Sequence, residues 1–203
     1  MNLLKQAQEM AIIKETANLF FARSITEVTI KDIASALGVG EATIYRHYST
    51  KFNLVLMVAK YLQEDVLSQY FSFVNEGNGY SKLAKFYKSF LQIYKEHPAY
   101  YKFINEFDAY VITNSSKEMH SYEEGIDAFK NTFDAIYKEG VEDGSVVPLK
   151  NIDSFYYGTT HSLLALCKKL SDKDVISQDA HLDKLGEIEA LIDTVLYRLN
   201  KTN

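Results

Sequence analysis

Apolar residues recur at three- and four-residue steps along nearly every long segment of this 203-residue chain. That spacing places them on one face of an α-helix, and no segment shows the two-residue alternation of a half-buried strand. Only 2 Pro and 9 Gly interrupt the pattern. The sequence therefore predicts an all-α fold of about nine helices.

Two short helices near the amino end are predicted from the residues at their termini. Thr29 and Asp32 have the spacing of a capping box, in which each side chain accepts a hydrogen bond from the other residue's backbone N–H. Gly38 can adopt the left-handed conformation that ends this helix, and the next helix begins after Gly40. Two short helices joined by a glycine-containing turn form a helix-turn-helix, whose second helix can enter a DNA major groove.

The polar face of this second helix has the chemistry needed to read DNA. Ile44 and Tyr48 lie four residues apart and would pack inward, which leaves polar side chains toward solvent. Arg46 can offer two parallel donors to a guanine edge, while Tyr45 and His47 would reach phosphates from the same exposed face. The predicted DNA-contact residues are Thr29, Lys31, Gly40, Ala42, Thr43, Tyr45, Arg46, His47 and Lys51.

The charge distribution favours the same part of the chain. Residues 1–60 carry a net charge of +2 and residues 61–203 a net charge of −7, which together give the −5 of the whole chain. A nucleic-acid footprint is therefore expected in the first part only. We predict a helix-turn-helix DNA-binding domain at residues 1–50 and a regulatory domain, for effector binding and dimerisation, at residues 51–203.

The stretch from Ile12 to about Leu56 resembles the DNA-binding region of the tetracycline-repressor (TetR) family, in the segments LFFARS and VTIKDIASALGVGEATIYRHYSTK. The resemblance implies a homodimeric repressor of transcription whose carboxy-terminal domain binds a small molecule and releases DNA. It also implies DNA contacts at the matching positions named above. Three residues depart from the family's usual pattern: Ser24 stands where glycine is common, Gly40 where Ser or Thr is common, and Phe52 where an acid is common.

The middle helices are rich in aromatic residues, which are typical of an apolar small-molecule cavity with a few polar groups. The alternative is that most of these side chains are simply core. In the same region, Ser115 and Glu118 have the spacing of a second capping box, which predicts the start of a helix. The candidate residues for a small, largely apolar or aromatic effector are Tyr94, Phe103, Phe107, Tyr110, Tyr122, Ile126, Phe129 and His161.

Two copies of the chain are expected, because one recognition helix reads only one half-site. The last two predicted helices each carry an apolar stripe, and a two-fold axis would join them into a four-helix bundle. The alternative is that these stripes are buried within one chain. The candidate dimer residues are Phe155, Thr159, Ser162, Leu163, Leu166, Leu185, Ile188, Ile192, Val195 and Leu199.

Other function classes receive less support from the sequence. The chain has no GxSxG, HExxH or Walker motif, and Cys167 is its single cysteine, so we expect no enzymatic activity, cofactor or metal. The main alternative is a DNA-binding regulator controlled by a protein partner that docks on the aromatic region. The start MNLLKQAQEM lacks the features of a signal peptide and no uncharged run reaches ~20 residues, so we expect a cytoplasmic protein.

Overall fold

The structure, a computed structural model, describes residues 3–72, 77–114, 120–172 and 181–201. Within these ranges the chain forms nine helices and no strand, which confirms the predicted all-α fold. The predicted Ser115–Glu118 capping pair lies outside the described residues. The helices are α1 (Leu3–Ala22), α2 (Ile30–Leu37), α3 (Glu41–Tyr48), α4 (Lys51–Tyr70), α5 (Gly79–Glu96), α6 (Pro98–Asn114), α7 (His120–Glu142), α8 (Ile152–Ser171) and α9 (Lys184–Leu199).

The chain divides into two compact units. The first unit consists of Met1–Asp65 and Lys102–Gly125, and the second of Val66–Tyr101 and Ile126–Asn203. The first unit is larger than the predicted DNA-binding domain, because it also contains most of α4 and most of α6. None of the helices in the described ranges is long and apolar enough to cross a lipid bilayer.

The core of the first unit joins the helix-turn-helix to α6 through aromatic rings. Phe20 of α1 stacks on Phe103 of α6 with ring centroids 6.1 Å apart, and Phe103 stacks in turn on Phe107 at 6.0 Å. All three side chains are almost completely buried. Burying one such ring contributes about 1.5–3 kcal/mol to stability, so these rings make α6 part of the same core as α1.

The core of the second unit lies where α5, α8 and α9 pack together. Phe86 and Phe133 meet edge to face at 5.5 Å, the arrangement that the charge distribution of aromatic rings favours. Gly79 at the start of α5 lies against Gly140 of α7, and a Cβ atom on Gly79 would overlap the Gly140 backbone. The two backbones can therefore touch at this point only because neither residue has a side chain.

The predicted dimer residues divide between the interior and the surface. Leu163, Ile188, Ile192, Val195 and Leu199 are buried in the core of their own chain. The prediction that these five residues form the dimer interface is wrong, because their apolar stripes already pack against α5 and against each other. The remaining candidates are partly or fully exposed: Phe155, Thr159, Ser162, Leu166 and Leu185.

Helices α8 and α9 each present another face to solvent. On α8 this face carries Tyr157, His161 and Ala165, and on α9 it carries Thr194 and Tyr197. Tyr197 is 70% exposed, which is unusual for a large aromatic side chain. The sequence did not distinguish this second face from the interior stripe.

Candidate nucleic-acid interface

Helix α2 begins with the capping box that the sequence predicts. The Thr29 hydroxyl accepts a hydrogen bond from the Asp32 backbone N–H at 3.1 Å, and Asp32 Oδ2 accepts from the Thr29 backbone N–H at 2.8 Å. Asp32 also accepts from Arg23 Nη2 at 2.9 Å. These donors, the Thr29 backbone N–H above all, lower the pKa of Asp32 to about 2. The start of α2 is therefore fixed by a charged and fully paired group.

Glycines set the turn between α2 and α3. Gly38 ends α2 with a φ of 66°, and its N–H donates to Ala34 and Ser35 carbonyls. Gly40 precedes α3 in an extended conformation and makes no side-chain cap, as the sequence predicts. The turn leaves the first N–H groups of α3 without a side-chain acceptor, and such groups favour a phosphate oxygen.

The loop before α2 resolves one departure from the family pattern. Within the described residues Ser49 alone combines a side chain with a positive φ, so Ser24 causes no strain. The Ser24 hydroxyl instead accepts from the Glu27 backbone N–H at 3.1 Å. Ser49 itself ends α3 at a φ of 61°, a conformation uncommon outside glycine and concentrated at functional sites.

The outer face of α3 carries several of the predicted DNA-contact residues. Ile44 and Tyr48 are buried, and Ile33 of α2 lies in the same core. Ala42 and Arg46 are exposed, Tyr45 is 47% exposed and Thr43 is half-buried. Lys31 and Gly40 are also exposed, and neither Lys31 nor Arg46 forms a salt bridge within the described residues.

His47 does not belong to this exposed face. Its side chain is only 4% exposed, and its Nδ1 lies 3.3 Å from Glu9 Oε1 on α1. The prediction that His47 faces solvent is wrong, because the carboxylate of Glu9 draws the ring inward. The next residue is held by the same partner, since the Tyr48 hydroxyl donates to the Glu9 carbonyl at 2.9 Å.

Lys51 also makes an internal contact that the sequence did not suggest. Its Nζ donates to the Ile25 carbonyl at 2.5 Å and lies 5.8 Å from the centre of the Tyr110 ring. Burial lowers the pKa of Lys51. The ammonium group is thus hydrogen-bonded to the loop before α2, and its contact with a DNA phosphate stays a prediction.

Sequence reasoning missed Glu106 as the counterpart of Lys51. Glu106 Oε2, on α6, accepts from the Ile25 backbone N–H at 2.9 Å. Ile25 is fully buried, so both of its backbone polar groups need partners, and two side chains of opposite charge supply them. No local sequence signal marks this contact, since Glu106 lies 81 residues away.

The candidate effector residues lie in different surroundings. Phe103, Phe107, Tyr110 and Tyr122 belong to the first unit, whereas Tyr94, Ile126, Phe129 and His161 belong to the second. Ile126 is 46% exposed, and His161 is exposed beside Tyr157, so neither side chain is enclosed within the second unit. The Tyr94 hydroxyl donates to the Leu170 carbonyl at 2.9 Å, and Phe129 packs edge to face on Phe71.

A further buried polar group lies among the candidates of the first unit. Gln63 of α4 is buried, and its Oε1 has no hydrogen-bond partner. Its amide lies against Gly125, where any side chain would overlap it. Tyr122, one turn earlier on α7, packs on Phe107 at 5.0 Å, and burial raises its pKa. An unpaired amide oxygen beside aromatic rings is a suitable acceptor for a ligand donor.

Comparison with known families supports this geometry. Residues 12–58, which include α2, α3 and their turn, match the family described as bacterial regulatory proteins, tetR family. Over these residues the chain is similar to bacterial regulatory proteins of the tetR family. A search of curated protein sequences finds no match to it.

Solved structures share the fold of this chain. A TetR-family transcriptional regulator from Agrobacterium tumefaciens covers 97% of this chain and 99% of its own, with a TM-score of 0.73 and 12% identity. A putative transcriptional regulator from Saccharomonospora viridis, solved in complex with choline, gives the same coverage, a TM-score of 0.71 and 18% identity. The fatty acid degradation regulator FadR from Bacillus halodurans covers 93% and 94%, with a TM-score of 0.68 and 15% identity. At such identities the likeness establishes the fold.

The capping box of this helix-turn-helix should make the stability of the protein depend on pH in the acid range. Because the pKa of Asp32 falls from 3.8 to about 2 on folding, its carboxylate stabilises the native state above about pH 4. That contribution is lost as the pH falls through about 2. We expect Asp32→Asn to lower the denaturant midpoint at pH 7, and the difference from the unmodified protein to narrow toward pH 2.

The matched control is Glu41→Gln, which also removes one carboxylate from an early helical turn. Glu41 is exposed and makes no hydrogen bond within the described part of the chain. The denaturant midpoint of Glu41→Gln should stay close to that of the unmodified protein both at pH 7 and near pH 2. The role assigned to Asp32 is contradicted if the difference in denaturant midpoint between Asp32→Asn and the unmodified protein stays constant down to pH 2.

Proposed function

We propose that this TetR-family regulator is a ligand-responsive repressor that binds a palindromic operator as a dimer. The observation that carries the proposal is the outer face of α3, where Arg46 stands exposed and without a salt bridge beside Ala42 and Thr43. A guanidinium that is not engaged by the protein is available for the paired donors that a guanine edge accepts.

Each exposed residue has a role that suits its position. Arg46 would read guanine in the major groove, and Ala42 and Thr43 would contact a thymine methyl or a neighbouring base edge. Tyr45 and Lys31 would bind phosphates, as would the backbone N–H groups that follow Gly40. Thr29 would contribute mainly by fixing α2, because its hydroxyl already donates to and accepts from Asp32.

Dimerisation would bring two recognition helices to successive major grooves, about 34 Å apart on B-DNA. The exposed faces of α8 and α9 support a dimer better than the buried stripes do. They combine large aromatic groups, Tyr157 and Tyr197, with the small Gly158 and Ala165, all accessible on the surface of the second unit. Tyrosine is enriched at protein interfaces, where it buries a large area and keeps a polar group.

Effector control would act through the first unit. Phe107 lies next to Glu106, so a ligand that displaces Phe107 on α6 also moves the carboxylate that holds Ile25. Ile25 precedes α2, and its displacement would shift the helix-turn-helix. Gln63 and Tyr122 would supply the polar contacts of such a ligand site. The choline complex of the Saccharomonospora viridis regulator supports small-molecule binding by proteins of this fold.

A regulator controlled by a protein partner is the second candidate. The observation that favours it is the exposure of Ile126, since an effector cavity would enclose this side chain. Fragments of operator DNA recovered with the purified protein can be used to separate the two candidates. Release of these fragments by small molecules alone supports effector control, and release only by a protein supports the alternative.

Base reading and phosphate binding can be distinguished with two substitutions. We expect Arg46→Ala to cost about 1–3 kcal/mol on the preferred operator and to relax the preference at one base position. Lys31→Ala should weaken all sequences about equally and make the salt slope shallower by about one. Binding titrations at several salt concentrations measure both effects. Lys150→Ala, at an exposed position of the second unit, is the control, and equal small effects of all three changes would contradict the proposed face.

The Ile25 contact can be tested without knowing the effector. Glu106→Ala removes the acceptor of the Ile25 N–H, so amide exchange at Ile25 should become faster and operator affinity should fall about tenfold. Glu106→Gln keeps an acceptor oxygen and should lie between this variant and the unmodified protein. If Glu106→Ala exchanges Ile25 no faster than Glu106→Gln does, the contact does not hold the loop.

The dimer face can be tested by introducing charge. Tyr197→Glu adds one carboxylate per chain at an exposed position, so the monomer should fold normally. Burying two such charges in a symmetric interface should weaken the dimer by at least about 2 kcal/mol, roughly thirtyfold in dissociation constant. Sedimentation velocity measures the shift to monomer. Ile112→Glu, at an equally exposed apolar position of α6, is the control, and a dimer unaffected by Tyr197→Glu would place the interface elsewhere.

A further inference from the structure

A cavity of 570 Å³ lies in the first unit between α1 and α4, beside the end of α3. Its size falls within the range of small-molecule sites. None of its lining residues is among the predicted effector residues, and Gln63, Phe107 and Tyr122 do not contribute to it. The cavity is therefore a different site from the one assigned above to effector control.

Glu9 and His47 lie on the polar side of the cavity, which Gln6, Ser49 and Asn53 also line. His47 Nδ1 faces the Glu9 carboxylate at 3.3 Å, and because a carboxylate accepts, Nδ1 carries the proton. In the neutral ring Nε2 is then an acceptor, and this buried atom has no hydrogen-bond partner among the residues that the structure describes. A buried acceptor without a donor destabilises the structure, so a ligand that donates to it would be bound favourably.

The Glu9 carboxylate can accept a further hydrogen bond. Its two side-chain contacts, with His47 and with Lys5 Nζ at 3.7 Å, both use Oε1, and Oε2 makes no hydrogen bond or ion pair among the described residues. Lys5 is largely exposed, and an exposed ion pair of this kind contributes little. A cation that enters the cavity can therefore compete with Lys5 for the carboxylate.

The other side of the cavity is apolar. Ile13 and Leu56 are buried and form its base, while Met10 and Met57 are 42% and 38% exposed. Methionine side chains are flexible and polarisable, so they can move aside and then pack on an apolar ligand. The Glu9 carboxylate and the His47 imidazole thus lie opposite an apolar surface, and the methionine side chains at its edge can move.

We propose that this cavity binds a primary amine that carries an apolar body. The ammonium group would donate to Glu9 Oε2 and to His47 Nε2, and the body would lie on Ile13, Leu56 and the two methionines. An anion would be repelled by the carboxylate and would leave Nε2 without a donor. Because His47 and Tyr48 belong to α3, the occupied site would couple amine binding to the position of the recognition helix.

The test uses three probes with the same eight-carbon body: n-octylamine, 1-octanol and octanoate. The chain has 4 Met, so labelling their methyl groups with carbon-13 gives a simple spectrum. Met10 and Met57 line the cavity. We expect octylamine to shift the Met10 and Met57 signals saturably, octanol to do so more weakly and octanoate not at all. Octanoate binding as tightly as octylamine, or no shift of the Met10 and Met57 signals with octylamine, would overturn the proposal.

Substitutions in and near the cavity test where the amine binds. Glu9→Gln should weaken octylamine binding by at least about tenfold, because it removes the charge that faces the ammonium group. Glu15→Gln, on the same helix but outside the cavity, should leave it unchanged. Met57→Lys places a cation at the margin and should favour octanoate over octylamine, with Met10 as the remaining probe. Equal octylamine affinities of Glu9→Gln and Glu15→Gln would overturn the site, and none of these measurements depends on DNA or on the effector.

Discussion

An eight-residue helix is too short to be stable by itself in water, and the DNA-binding surface is built on one. Helix α3 therefore depends on its surroundings for its existence as well as for its position. Ile44 anchors it in the core, and the Tyr48 hydroxyl and the His47 ring both contact Glu9 of α1. Because the inner face carries all of this stabilisation, the outer face is free to carry side chains chosen for DNA.

The loop before α2 is held by hydrogen bonds to the buried backbone groups of Ile25. Ile25 is buried in a loop, where no neighbouring backbone supplies partners for its N–H and carbonyl groups. Lys51 and Glu106 fill these two roles from α4 and α6. The positively charged Lys51 donates to the Ile25 carbonyl, and the negatively charged Glu106 accepts from the Ile25 N–H. Both hydrogen bonds are therefore strengthened by charge. The loop before α2 is thus tied to α4 and to α6 by one charged side chain from each helix.

Local features of the site could be predicted from the sequence because their causes lie within a few residues. The Thr29–Asp32 capping box and the turns at Gly38 and Gly40 follow from spacing and from glycine's conformational range, and the structure confirms them. The orientation of His47 could not be predicted, since it depends on Glu9, 38 residues away. The internal contact of Lys51 could not be predicted for the same reason, because its acceptor is a backbone carbonyl that no side-chain pattern reveals.

The error at α8 and α9 has a different physical origin. An apolar stripe at helical spacing indicates that a face is buried, but the hydrophobic effect is non-directional and does not distinguish a partner in the same chain from one in another. Here the stripe of Ile188, Ile192 and Val195 is satisfied internally. The exposed face is recognisable only afterwards, as a Tyr-containing surface that the fold leaves without cover, with Tyr197 at its most accessible point. In an all-α chain of this size, a dimer surface is therefore better sought among the aromatic residues left over from the core than among the most regular apolar stripes.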